Sequence, residues 1–180
     1  MPFLGRALIL RVVERLQPLA DEVIVTTDRP EDYLFLGLPL FEDLEPGRGP
    51  LGGLYTALHS AKSSLVAAVA CDLPFVNLDL FEYERDLIIK EGTDVAIPST
   101  PEGLEPLHAV YRRDTCLPVV RSAMEAGELK LTGWLSKVMV STLSPEETVK
   151  LDPGSRAFWN LNTMDEFLRA EEIARVDADL

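Results

Sequence analysis

The chain reads as a single α/β domain, residues 1–180, built in three α/β/α layers around a mostly parallel sheet. Three observations predict this. Strand and helix patterns alternate almost from end to end. The apolar run within Ser63–Phe75 lacks polar alternation, the pattern of a strand buried on both faces in a parallel sheet. A length of 180 residues suffices for one domain with a substantial core, and no internal repeat, low-complexity segment or linker divides it.

Leu8, Val12, Val13, Leu16 and Leu19 recur at helical spacing with charges between them, and Pro18 and Asp21 mark the end of that first helix. Glu22–Thr26 reads as a short buried strand, Asp28-Arg29-Pro30 as a turn, and Leu38–Phe41 as another strand leading to Glu42-Asp43. Glu45–Pro50 is a loop by its glycine and proline content, and Leu51–Ala61 is the helix after it. Beyond the apolar strand, a helix is predicted from about Asn77 to Glu91, with Asp79 near its positive end. Asp94–Ser99 and Leu107–Arg112 read as strands on either side of a Pro/Gly loop. Helical stretches at Asp114–Ala126 and Lys130–Lys137 precede a strand at Val138–Leu143. Phe158–Thr163 leads into a last helix, Met164–Arg175.

Thirty acidic residues against 17 basic ones give a net charge of −13, which argues against a nucleic-acid footprint or an anionic membrane surface. An anionic small substrate remains compatible, because backbone amides and a divalent ion can receive it locally. Cys71 and Cys116 are far apart and neither has a CxxC partner, so zinc ligation and a disulfide framework are not expected. Cys71 reads as a small core residue. Met1–Leu19 carries Arg6, Arg11, Glu14 and Arg15 through its apolar positions, unlike a signal peptide, and no apolar run reaches membrane-spanning length. The expectation is a soluble cytoplasmic domain.

Four segments carry candidate chemistry. Asp72 stands just beyond the apolar strand, where open α/β sheets place ligands; it reads as a holder of a metal ion or as the cap of the next turn. Gly49-Pro50-Leu51-Gly52-Gly53 opens a helix, where glycines admit a ligand to the free N–H groups, or forms an ordinary turn. Asp43, just before it, suits a base or ribose, or is a solvated turn aspartate. Asn160-Leu161-Asn162 offers two amides on one side of an extended segment; capping of the last helix is the structural reading, favoured for this segment alone. Glu105-Pro106-Leu107-His108 joins an acidic turn to a strand, and a lone histidine on an apolar strand is usually a core residue.

Taken in order, Glu42-Asp43 with Gly49–Gly53, Cys71-Asp-Leu-Pro-Phe75, Glu105-Pro-Leu-His-Ala-Val-Tyr111 and Asn160-Leu-Asn-Thr163 resemble the molybdenum cofactor guanylyltransferase family. The likeness runs from about residue 3 to residue 170. It implies a nucleotide-diphospho-sugar transferase-like, Rossmann-like fold that transfers GMP from GTP to molybdopterin and releases pyrophosphate. The Cys-Asp-x-Pro-Phe form favours guanylyl over cytidylyl transfer. Asp72 is implied as the catalytic residue and Mg²⁺ ligand. Asp43 and Gly49–Gly53 are implied on the guanosine side, Asp28 as a weaker contributor there, and Glu105, His108, Asn160 and Asn162 on the pterin side or shaping the cleft. Transient contact with molybdoenzyme maturation proteins is a further implication.

One departure stands out. The family opens with a strand and a Leu-Ala-Gly-Gly…Arg-Met-Gly…Asp-Lys segment that cradles the triphosphate, whereas Met1–Leu8 resembles the family's residues just beyond that segment. The expectation is a mis-assigned start or a loss, with the absent strand central in the sheet. A related cytidylyl- or sugar-phosphate transferase and a non-catalytic binding homologue stay open as alternatives.

Overall fold

The computed structural model describes residues 2–161 and 163–176. A two-residue antiparallel hairpin, β1 (Pro2–Phe3) with β2 (Arg6–Ala7), precedes helix α1 (Leu8–Leu16). The helix stops three residues before Leu19 because its last bond, from the Gln17 N–H to Val13 O, is followed by Pro18, which has no N–H to continue the ladder. Strands β3 (Val25–Thr27) and β4 (Leu40–Glu42) pair in parallel, joined through a 3-10 turn at Pro30–Leu36. Helix α2 (Gly49–Ser60) leads to strand β5 (Leu65–Val69). Helix α3 (Leu78–Glu91) is capped by the Asn77 side chain, which accepts from the Leu80 amide at 3.1 Å.

Strands β6 (Val95–Thr100), β7 (Gly103–Leu104) and β8 (His108–Arg112) come next, then helix α4 (Arg113–Glu125). The helix expected at Lys130–Lys137 is a turn with a short 3-10 segment, Leu135–Lys137. The Glu128 carboxylate accepts from the Leu129 and Lys130 amides, satisfying there the donors a helix would have used. Strand β9 (Val140–Leu143) precedes helix α5 (Pro145–Leu151), which periodicity alone does not predict. Its signal is present as Ser144-Pro-Glu-Glu147, a capping box with proline in the first turn. Helix α6 (Met164–Val176) closes the described chain, and no described helix is long and apolar enough to cross a membrane.

The main sheet runs β5-β8-β6-β7, with β9 also on β6. Strand β8 is antiparallel to both β5 and β6 and β7 is antiparallel to β6, while β9 is parallel to β6; β5, β6 and β9 therefore point one way, β7 and β8 run against them, and the sheet is mixed. Side-chain alternation builds the layers. Val95, Ile97, Ala109 and Tyr111 face α2 and α4 across a core that includes Leu51, Leu58, Val120 and Trp134. Ala96 and Val110 face the other way, onto Val12 of α1 and Phe81 and Ile88 of α3.

Strand β5 corrects the sequence reading. Ala67, at its centre, is exposed, so the strand is not buried on both faces, and Cys71 is exposed too, while Cys116 is the buried thiol. The cause is the arrangement of the sheets. Helix α2 packs against β3, β4 and β5 alike, yet among the described residues no hydrogen-bonded ladder joins the β3–β4 pair to β5.

Candidate functional site

Three candidate carboxylates lie just beyond the carboxyl ends of strands. Asp28 follows β3, Asp43 follows β4 and Asp72 follows β5. Tyr33, in the turn after β3, lies within electrostatic reach of Cys71, bringing the two sheets' ends together.

Asp43 sits at the mouth of the glycine-rich helix start. Its amide donates to Thr27 O at 3.3 Å, while its Oδ1 is buried without a hydrogen-bond partner among the described residues. Burial, and then the nearby Asp28 charge, push its carboxyl above the usual range. A carboxylate held in that state is short of N–H donors or a cation. The loop between Asp43 and α2 is tied down by Thr56, fully buried, whose Oγ1 accepts from the Leu44 amide at 3.1 Å and donates to Gly52 O at 2.9 Å. Thr56 escaped sequence reasoning because nothing in a lone helical threonine reveals that its hydroxyl faces a loop.

The glycines differ in what they do. Gly49 has φ +57°, a conformation that favours glycine. At Gly52 a Cβ would lie 2.9 Å from Arg48 Cβ and 3.2 Å from Glu45 O, so the loop itself excludes a side chain there. At Gly53 the nearest atom is Thr26 Oγ1 at 3.6 Å, an ordinary contact. Pro50 lies in the first turn and Leu51 is wholly buried, so Leu51 anchors the turn rather than meeting a ligand.

Asp72 is half-buried, and its Oδ1 is buried without a hydrogen-bond partner among the described residues. Its backbone carbonyl accepts from the Leu161 amide at 3.3 Å, which draws the 160–161 segment against it. Asn160, whose Oδ1 is likewise buried and unpartnered among the described residues, is thus brought beside the same loop; Asn162 lies outside the described residues. The loop after Asp72 is clamped from α1. Arg11 Nε donates to Pro74 O and Arg15 Nε to Val76 O, each at 2.9 Å, and the Phe3 ring packs edge-on against Phe75. The i, i+4 spacing of Arg11 and Arg15 was the signal available for this clamp.

Glu105 and His108 part company. Glu105 lines a cavity at the carboxyl end of β6, and its Oε1 accepts from Thr100 Oγ1 at 3.1 Å. Burial chiefly, and Glu102 secondarily, push its carboxyl up against the opposing pull of the Thr100 hydrogen bond. His108 is fully buried beneath the cavity, stacked on Phe81 with ring centroids 4.0 Å apart and edge-on to Phe158. It shapes the cleft through Phe158, which lines the cavity, and does not reach into it. Among the described residues no cluster of three or more His, Cys, Asp or Glu side chains is grouped to hold a metal.

Residues 1–141 match the family described as MobA-like NTP transferase domain. The molybdenum cofactor guanylyltransferase of Desulfosudis oleivorans is 34% identical over 169 residues, covering 93% of this chain and 82% of the relative. The probable molybdenum cofactor guanylyltransferase of Peptoclostridium acidaminophilum is 31% identical over 166 residues, covering 89% and 75%. The crystal structure of molybdopterin-guanine dinucleotide biosynthesis protein A from Archaeoglobus fulgidus superposes with a TM-score of 0.84 at 26% identity, over 98% of this chain and 90% of that one. A cytidylyltransferase structure from Thermus thermophilus, at 18% identity and a TM-score of 0.68, shares the fold. The chain belongs to the MobA-like NTP transferase family, in its molybdenum cofactor guanylyltransferase branch.

Proposed function

We propose that the chain transfers GMP from GTP to the terminal phosphate of molybdopterin. One observation carries the reading within this family: Asp43 and Asp72, just beyond the ends of β4 and β5, each hold a buried carboxylate oxygen without a hydrogen-bond partner among the described residues, and α2 begins a few residues after Asp43 with no side-chain cap at its N-terminus. The acceptor's phosphate oxygen attacks the α-phosphorus of GTP. The α–β anhydride bond breaks and pyrophosphate leaves with the bonding electron pair, so no side-chain nucleophile is required.

On the guanosine side, Asp43 accepts from N1–H and the exocyclic amine, a donor pair that cytosine and adenine lack in that pattern. Asp28 enhances its basicity, and the Gly49–Gly53 turn lets the nucleotide approach the backbone. Asp72 is the residue that would hold Mg²⁺, since one hard, unpartnered carboxylate oxygen suits an ion bound by few carboxylates plus substrate phosphates. The ion would supply charge neutralisation at the phosphates. Arg11 and Arg15 keep the Asp72 loop in place, and Asn160 borders the acceptor side.

The test follows GTP-dependent dinucleotide formation by mass spectrometry. Asp72→Asn is expected to lose at least about a hundredfold in turnover while keeping its fold, the scale of losing one electrostatic stabiliser. Asp43→Asn is expected to erase the preference for GTP over CTP. Near-parental turnover in the first variant, or CTP bound as tightly as GTP by the parent, overturns the assignment.

A further inference from the structure

Oδ1 of Asp72 is buried without a hydrogen-bond partner among the described residues, so no bond of its own fixes it. The backbone sets where that carboxylate sits, and residues 73–76 set the backbone. We propose that Arg11 is a positioning residue for the transfer: by holding Pro74 and Phe75 it places Asp72, and it acts on turnover through that carboxylate rather than on nucleotide affinity. The proposal rests on the reading of Asp72 given above and adds to it a residue of α1.

The loop's own bonds beside Asp72 are long. The Leu73 amide donates to Ala70 O at 3.4 Å, and the Asp72 carbonyl accepts from the Leu161 amide at 3.3 Å, both beyond the usual N–H···O range. Pro74 has no N–H, so its carbonyl is the one main-chain group by which it can be held. That carbonyl accepts from Arg11 Nε at 2.9 Å. Farther along, Val76 O accepts from Arg15 Nε, and Asn77 is tied twice: Nδ2 donates to Leu151 O and Oδ1 accepts from the Leu80 amide, each at 3.1 Å. The α3 end of the loop is thus anchored separately, and Arg11 supplies the short bond closest in sequence to Asp72. Two residues span at most about 7 Å of chain, so a shift at Pro74 passes to Asp72. Misplacing a reacting group by about 1 Å can cost on the order of a hundredfold in rate.

The guanidinium holds Phe75 as well. Its carbon lies 5.6 Å from the Phe3 ring centre and 5.9 Å from that of Phe75, and the two rings meet edge-on at 6.5 Å. Phe75 also stacks on Trp159, with centroids 5.9 Å apart, and Arg169 lies 5.6 Å over that indole. A planar guanidinium can donate at Nε while its face lies on a ring, which an ammonium cannot. For stability alone the arrangement is a poor one. Arg11 Nη2 is buried without a partner among the described residues, and burial, with the Arg15 charge second, pulls the Arg11 pKa below the usual arginine range. An apolar side chain of similar length would fill the space without stranding a donor. What the guanidinium provides is the hold on Pro74 and Phe75.

A double-mutant cycle with Asp72 tests the assignment. Arg11→Met keeps the length and the apolar stem and removes the guanidinium. It is expected to lower kcat for GTP-dependent dinucleotide formation at least about tenfold, with KM for GTP within about twofold of the parent. In the Asp72→Asn background the same change is expected to cost less than about twofold, because no carboxylate remains to be positioned. Arg11→Lys, which restores the charge without the planar fork, is expected to stay within about threefold of Arg11→Met. Mn²⁺ binding in the presence of GTP, read by electron paramagnetic resonance, is the second readout, and its affinity should fall about tenfold or more in Arg11→Met with the fold retained. Parental kcat in Arg11→Met, an equal loss in both backgrounds, unaltered Mn²⁺ affinity, or failure of both Arg11 variants to fold overturns the proposal. Near-parental turnover in Asp72→Asn alone sinks the Asp72 reading and the proposal with it. If the parent transfers no GMP, the transferase reading fails on its own account and the Mn²⁺ affinities decide the role of Arg11.

Discussion

Glu84→Gln should make the protein's stability depend on pH differently, in a direction the core geometry dictates. Nδ1 of His108 lies 3.4 Å from Oε1 of Glu84, and both side chains are fully buried. Burial pushes the Glu84 carboxyl well above its ordinary 4.5 and drops His108 from 6.5 to about 3. The folded protein therefore keeps a proton on Glu84 that the unfolded chain releases above pH 4.5. Stability falls by about 1.4 kcal/mol per pH unit from there until the folded-state value of Glu84 is reached. His108 acts in the opposite sense: between about 3 and 6.5 the unfolded chain binds a proton that the folded protein excludes, so stability rises with pH. The two slopes cancel between 4.5 and 6.5, and only the Glu84 loss continues above that window. Glutamine removes the Glu84 slope and leaves the His108 one. The variant should therefore gain on the parent between about pH 5 and about pH 7, by about 1.4 kcal/mol for each unit over which the folded protein keeps that proton. At about 2–4 °C per kcal/mol for a chain of this size, each such unit is roughly 3–6 °C in Tm. Urea unfolding of both proteins across that range, followed by circular dichroism, reads the difference directly. Any packing penalty of the amide is a constant offset, so the slope carries the test. A stability difference that does not change with pH would mean that Glu84 is ionised in the core, and the reasoning would fail.

Two further outcomes rest on named contacts. Gly52→Ala should destabilise by about 1–2 kcal/mol, since crowding against Arg48 and Glu45 outweighs the helix-propensity gain of about 1 kcal/mol, whereas Gly53→Ala, with ordinary space, should be neutral or stabilising; paired thermal melts check the contrast. Thr56→Val should cost about 1–3 kcal/mol by stranding the Leu44 amide, and should weaken GTP binding by loosening Asp43, with Thr56→Ser restoring both; calorimetry showing unaltered GTP affinity in the valine variant would reduce Thr56 to a structural role.

The alternation of patterns and the order of motifs determined the family, the layering and the candidate loops. These are local or statistical properties of the chain: helical spacing in α3 and α4, glycine and proline at the start of α2, and a carboxylate at the end of β5. Tertiary structure decided what each residue faces. His108 and Glu105 are three residues apart in one motif, yet one is sealed in the core and the other opens to a cavity, because the strand begins between them and its pleat sets the side. Residues 63–75 looked doubly buried because composition reports apolarity, while burial needs a neighbour, and at Ala67 that neighbour depends on which strand lies beside β5. The Arg11–Arg15 clamp, the Thr56 tie and the Trp159–Phe75 stack all join segments distant in sequence, so only folding could bring them together around Asp43 and Asp72.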